Sequence, residues 1–144
     1  MSTIEKLKSI QADAMAFFVK THNYHWNVKG MQFFPVHEMT EKIYDKFAEV
    51  YDDTAERVLQ LGGKPVLTMG QIAQTTNIKE ESGSEFDAKY VLEAIKADYE
   101  YFVGEFKALA QIADEAQDAT TVAYAEDMVA GLEKDIWMIN QSLQ

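Results

Sequence analysis

All three histidines of this 144-residue chain, His22, His25 and His37, lie before position 38. Carboxylates crowd the segment that follows: Glu41, Asp45, Asp52 and Glu56 are spaced by four or by seven residues. Imidazole nitrogen and carboxylate oxygen together suit borderline divalent metals such as iron or zinc. There is no cysteine, which excludes thiolate sites and disulfides and suits a reducing compartment.

Spacing decides which of these groups can act together. On a helical wheel of about 100° per residue centred on Ile43, the apolar Met39, Phe47, Val50, Val58 and Leu61 fall within about 60°. Glu41, Asp45, Asp52 and Glu56 fall at about 160° to 220°, and His37 at about 120°. The polar row therefore points away from the chain's own core. A solvated face is the ordinary reading of such a row. Solvated helices usually mix signs, however, with lysine four residues after glutamate. Here the row has Ala48 at its middle and no base on its centre line. Like charges one turn apart, at Glu41–Asp45 and Asp52–Glu56, cost a bare helix about a few tenths of a kcal/mol each. A bound cation offsets that repulsion.

The preceding helix carries a core stripe of Leu7, Ile10, Ala14, Phe17, Thr21, Tyr24 and Val28. Beside it runs a shorter second stripe, Met15, Phe18, His22 and His25, beginning one turn after the polar Gln11. The chain reverses near Met31, so His25 and His37, equally far from it, are expected at one height on neighbouring helices. Glu41 joins them. Asp52 and Glu56 lie 11 to 19 residues further along than Glu41 and His37, roughly 16 to 28 Å on a helix. One chain cannot close such a site, but two antiparallel copies of the second helix can. The pairs 37/56 and 41/52 share a midpoint near 46.5, so one two-fold axis superposes both, and Ala48 beside it permits close approach. The expectation is two equivalent sites per dimer. Each takes His25, His37 and Glu41 from one protomer and Asp52 and Glu56 from the other. The alternative, a di-metal site inside one bundle, uses Glu-x-x-His pairs, and none occurs here.

The positioning elements follow from apolar periodicity. Helices are expected over about 3–28, with Gly30 closing the first, and then from a first turn containing Pro35 to Leu61, with Gly62-Gly63-Lys64-Pro65 as the stop. A long connection over 63–84 contains a short helix over 69–75 capped by Thr68. Two more long helices follow, separated by a polar break over 114–119. Residues 1–144 thus form a single all-α domain, a four-helix bundle. Short first and last links and a long middle link give an up-down-down-up course.

Charge narrows the function classes. Lys and Arg number 13 against 24 Asp and Glu, a net of −11. That balance disfavours DNA binding near neutral pH and favours cations. The first 15 residues lack an apolar signal core, and no apolar run approaches a membrane span. A cytoplasmic protein with no membrane partner is expected.

HNYHWNVKG at 22–30 and FFPVHEMTEKIYDKFAEVYDDTAERV at 33–58 resemble the starvation-induced, DNA-protecting miniferritins of Dps type. The likeness is greatest to their acidic, neutrophil-activating branch and extends over the whole chain, through IWMINQ in the last helix. The motif H-x11-H-x14-D-x3-E carries it. The resemblance implies a ferritin-like bundle and a hollow dodecamer built from two-fold dimers. It also implies a ferroxidase centre at each dimer interface, which oxidises Fe(II) with hydrogen peroxide and stores ferric mineral. His25, His37, Asp52 and Glu56 match the family's ligands, and Glu41 stands where many members have aspartate. Zinc is a competing metal for the same ligands. The lysine-rich N-terminal tail of DNA-binding members is reduced here to Lys6 and Lys8. Trp26, beside His25, is placed to intercept one-electron oxidants or to pack at the interface. Asp45, Glu49 and Asp53 are candidates for mineral seeding, and Glu126 and Asp127 for an entry pore. The rival readings are a zinc-binding structural assembly, a metal-free acidic interaction module and a chromatin-compacting protein.

Overall fold

A computed structural model describes all of residues 1–144, in five helices: α1 (Thr3–Asn27), α2 (Phe33–Gln60), α3 (Met69–Thr75), α4 (Ala88–Glu115) and α5 (Ala119–Ser142). Four of them begin on a side-chain cap. Ser2, Thr68, Asp87 and Asp118 accept from the backbone N–H of Glu5, Gln71, Tyr90 and Thr121, each worth about 1 kcal/mol. The exception, α2, has Pro35 in its first turn, where the missing N–H has no helical partner to lose. The stops are equally local. Gly63 N–H donates to the Val58 carbonyl (2.9 Å) and Gly62 N–H to that of Leu59 (3.0 Å), with Gly62 at φ +87°. This pair of bonds closes a helix on a left-handed residue. Asp118 and Gln117 repeat it on Ala113 and Asp114 at the end of α4, with Gln117 at φ +57°.

Cross-helix pairs fix the topology. His25 meets His37 between α1 and α2. Lys6, Asp13 and Lys20 of α1 meet Glu105, Tyr101 and Asp98 of α4 in descending order. Lys46 and Arg57 of α2 meet Asp135 and Asp118 beside α5, again in opposite order. Helix α1 is therefore antiparallel to α2 and α4, and α2 is antiparallel to α5, which is the up-down-down-up course. The core is centred on Phe17, Phe47, Tyr99 and Phe102, whose ring centroids lie 4.7 to 5.9 Å apart. Ala125, Leu132 and Ile139 of α5 close it.

Two details differ from the sequence reading. Gly30 does take φ +114°, but α1 has already ended at Asn27. Val28 turns extended because the chain there pairs with the segment before α4: Lys29 N–H donates to the Phe86 carbonyl (2.8 Å), and Phe86 N–H to that of Asn27 (3.2 Å). Gln11, one turn before the second stripe, turns inward. It is buried, and its amide bonds both the N–H and the carbonyl of Val66 at 2.8 and 2.9 Å. Two residues on, the buried Asp13 accepts from Thr76 Oγ1, Asn77 N–H and the Tyr101 hydroxyl. These bonds pin the long connection against α1, leaving the α2 polar row uncovered. No helix is long and apolar enough to cross a membrane.

Candidate metal centre

His25 lies in the last turn of α1 and is buried; His37 lies on the second turn of α2 and is half-buried. Their rings stack with centroids 3.7 Å apart and planes 16° from parallel. Each imidazole donates from Nδ1 to the other residue's backbone carbonyl, both at 2.8 Å. A carbonyl only accepts, so the proton of each neutral ring is on Nδ1 and the lone pair is on Nε2. This is how ligating histidines are oriented. Thr40 supports the arrangement from within the core. Its hydroxyl donates to the Val36 carbonyl (2.8 Å) and lies 3.0 Å from His25 Nδ1, where it accepts. Burial, opposed by the bond to the His37 backbone, lowers the His25 pKa below the usual histidine value. The neutral, ligand-competent ring is thereby favoured.

The stacking has a chemical consequence. An imidazole lone pair lies in the ring plane, and near-parallel planes do not converge on one point. The two rings therefore suit two metal positions, one each, on the scale of the separation of about 3.5–4 Å found in two-metal sites.

Glu41 follows His37 by one turn and is exposed, near enough for its charge to act on His25. Asp52 and Glu56 lie on the same exposed row of α2. The Glu56 pKa is raised, chiefly by Asp52 through a shared proton and like-charge repulsion, with smaller effects from desolvation and Asp53. The repulsion matches the like-charge spacing of Asp52 and Glu56 along α2. No three histidine or acidic side chains converge as a metal-holding group within the single chain. The five candidates fall instead into two sets: His25, His37 and Glu41 near one end of α2, and Asp52 with Glu56 at least about 16 Å along it. Trp26 is 67% exposed, and Asp45, Glu49, Asp53, Glu126 and Asp127 are exposed on their helices.

Sequence reasoning missed Thr40 and Tyr44. Thr40 was legible only as a polar residue on the core face of α2. Tyr44 stands edge-on to His25 at 5.1 Å and stacks on His22 at 3.8 Å; nothing in its spacing announced an aromatic wall.

The ferritin-like domain family matches residues 4–144. The DNA protection during starvation protein of Helicobacter pylori is 46% identical over 143 residues, 99% of each chain. The crystal structure of Helicobacter cinaedi CAIP superposes with a TM-score of 0.98 at 50% identity, covering 99% of this chain and 100% of that one. A Dps protein of Vibrio cholerae, described as one of the ferritin-like diiron-carboxylate proteins, matches with a TM-score of 0.94 at 27% identity over 99% of this chain and 89% of its own. This chain belongs to the ferritin-like family, as a miniferritin of Dps type.

Proposed function

We propose that the protein oxidises Fe(II) and stores the ferric product, at centres that two copies of the chain build together. One observation carries the reading. The stacked His25–His37 pair presents two lone pairs of fixed tautomer at one end of an exposed acidic row. The carboxylates able to complete the set, Asp52 and Glu56, stand at the other end. A two-fold axis near Ala48 brings each end against the opposite end of a second copy. Every centre then holds His25, His37 and Glu41 of one protomer with Asp52 and Glu56 of its partner.

The chemistry fits this donor set. Imidazole and carboxylate bind Fe(II), and the harder carboxylates favour Fe(III) once it forms. Two metal positions match a two-electron oxidant. With hydrogen peroxide, two Fe(II) each lose one electron, the O–O bond breaks, and two protons complete two waters. No hydroxyl radical is released. The diiron-carboxylate description of the Vibrio cholerae relative supports iron as the metal. A hollow dodecamer built from such dimers gives the product a place to accumulate, and the net charge of −11 favours cation entry over DNA binding. The absence of cysteine fits a reducing, cytoplasmic setting.

The direct test adds Fe(II) and then peroxide to the assembled protein and follows ferric absorbance and oligomer mass. A rise abolished by Asp52→Asn, at a mass near twelve chains, is expected. Zn(II) binding without any ferric rise would leave a zinc-holding assembly in its place.

A further inference from the structure

Every exposed side chain of α2 is polar, charged or proline except two, Phe34 and Leu59, which are 75% and 58% exposed. Each stands one residue inside an end of the helix. On the wheel centred on Ile43 they fall at about 180° and 160°, in line with Glu41, Asp45, Asp52 and Glu56. A single exposed apolar residue needs no explanation. Two of them at opposite ends of one acidic row do.

Their midpoint is 46.5, the point that also pairs His37 with Glu56 and Glu41 with Asp52. The two-fold axis near Ala48 therefore sets Phe34 of one copy opposite the partner's Leu59, one turn beyond His37 and the partner's Glu56. Side-chain size suits these places. Helices packed at roughly 20° run about 9 Å apart where they cross and about 11 Å apart some 19 Å further along. The small Ala48 fits the crossing, and the long Phe34 and Leu59 span the wider ends. Phe34 also continues the wall of the centre outward. Phe33 stacks on His37 (4.9 Å, 21°), and Phe34 meets Phe33 edge-on (5.9 Å, 73°).

The acidic rows cannot draw two copies together, because without metal they repel. Burial of apolar surface can. It also selects the register: a slide of one helical turn, about 5.4 Å, takes Phe34 off Leu59 and returns both to water. We infer that Phe34 and the partner's Leu59 form an apolar clasp at each end of the paired α2 helices, holding a second copy of the chain, before metal binds, in the register that closes the centres. The inference rests on the two-copy reading of those centres.

Sedimentation of the metal-free protein in chelator tests it. Both positions are exposed in the single chain, so the variants should keep the wild-type circular dichroism. Phe34→Glu and Leu59→Glu should each weaken self-association at least about tenfold. Adding Leu59→Lys to Phe34→Glu should recover most of the loss. The two charges then meet across the axis, although within one chain they lie about 37 Å apart. The chain has no cysteine, so a Phe34→Cys/Leu59→Cys variant treated with a short bismaleimide should give covalent dimers. Wild-type association in both single variants, no recovery in the charge pair, or no covalent dimer overturns the proposal. Mixing His37→Gln protein with Asp52→Asn/Glu56→Gln protein separates the two readings. If the clasp fails and the mixture oxidises iron, the two-copy centre stands without it; if the mixture is inactive, the centre itself falls.

Discussion

Protein carrying His37→Gln and protein carrying both Asp52→Asn and Glu56→Gln should each be inactive alone and active when mixed. The reason is the length of α2. Glu41 and Asp52 are 11 residues apart on one uninterrupted helix, about 16 Å at 1.5 Å per residue, whereas ligands reach a metal at about 2 Å. In a dimer of the two variants, one centre combines the damaged histidine set with the damaged carboxylates. The other combines the intact histidine set with the intact carboxylates. Random pairing puts half of all dimers in this mixed state, each with one working centre of two. Peroxide-driven iron oxidation should thus recover to about a quarter of wild type per chain. Dissociation, mixing at equal amounts, reassembly and stopped-flow measurement of the ferric absorbance provide the assay. Each variant reassembled alone is the control. No recovery in the mixture, with mixed dimers confirmed by mass spectrometry, would refute the two-copy centre. Activity in the Asp52→Asn/Glu56→Gln protein alone would refute its ligand set.

Other outcomes follow from the same structure. Thr40→Val removes the hydroxyl that accepts from His25 while leaving the His37 carbonyl in place; metal affinity should fall about tenfold, the low end for a supporting hydrogen bond, as read by calorimetry. Asp118 caps α5 and binds Arg57, so Asp118→Ala should cost about 2 kcal/mol in chemical denaturation. Burial alone raises the Asp118 pKa, but the Thr121 hydroxyl and amide and the Arg57 guanidinium together bring it below the usual aspartate value. Its contribution is therefore complete above the ordinary carboxylate range and is lost as pH falls through the depressed value. The stability gap between wild type and Asp118→Ala should narrow in acid and stay constant near neutrality. Gln117→Gly relieves a left-handed residue at φ +57° and should stabilise by about 0.5 kcal/mol, seen as a small rise in Tm, because the flexibility gained by the unfolded chain offsets part of the relief.

Much of this architecture was legible because its signals are local. Apolar spacing marks the helices over 3–28 and from the turn containing Pro35 to Leu61, Gly62 marks a stop that requires φ above zero, and Thr68 marks the cap of a helix of about two turns. The candidate residues were legible for a less usual reason. An acidic row without lysines, facing away from the core, conflicts with what a lone helix prefers, and such conflicts concentrate at functional surfaces. What stayed hidden depends on residues far apart in sequence. Gln11 looks like a surface residue until Val66, 55 positions later, supplies a donor and an acceptor that match its amide. Val28 looks helical until Phe86 offers an extended partner. Neither event alters the periodicity on which the helices were read.

The histidines show the same division at the level of chemistry. Their common height followed from counting residues about the turn. Their tautomers did not, because a tautomer is set by the group facing Nδ1, and in all three cases that group is a backbone carbonyl invisible to side-chain spacing. When neutral, all three rings share one protonation pattern, with the lone pair on Nε2. For His25 and His37 that free nitrogen stands one turn from Glu41, where the acidic row of α2 begins, which is the arrangement the proposed centre needs.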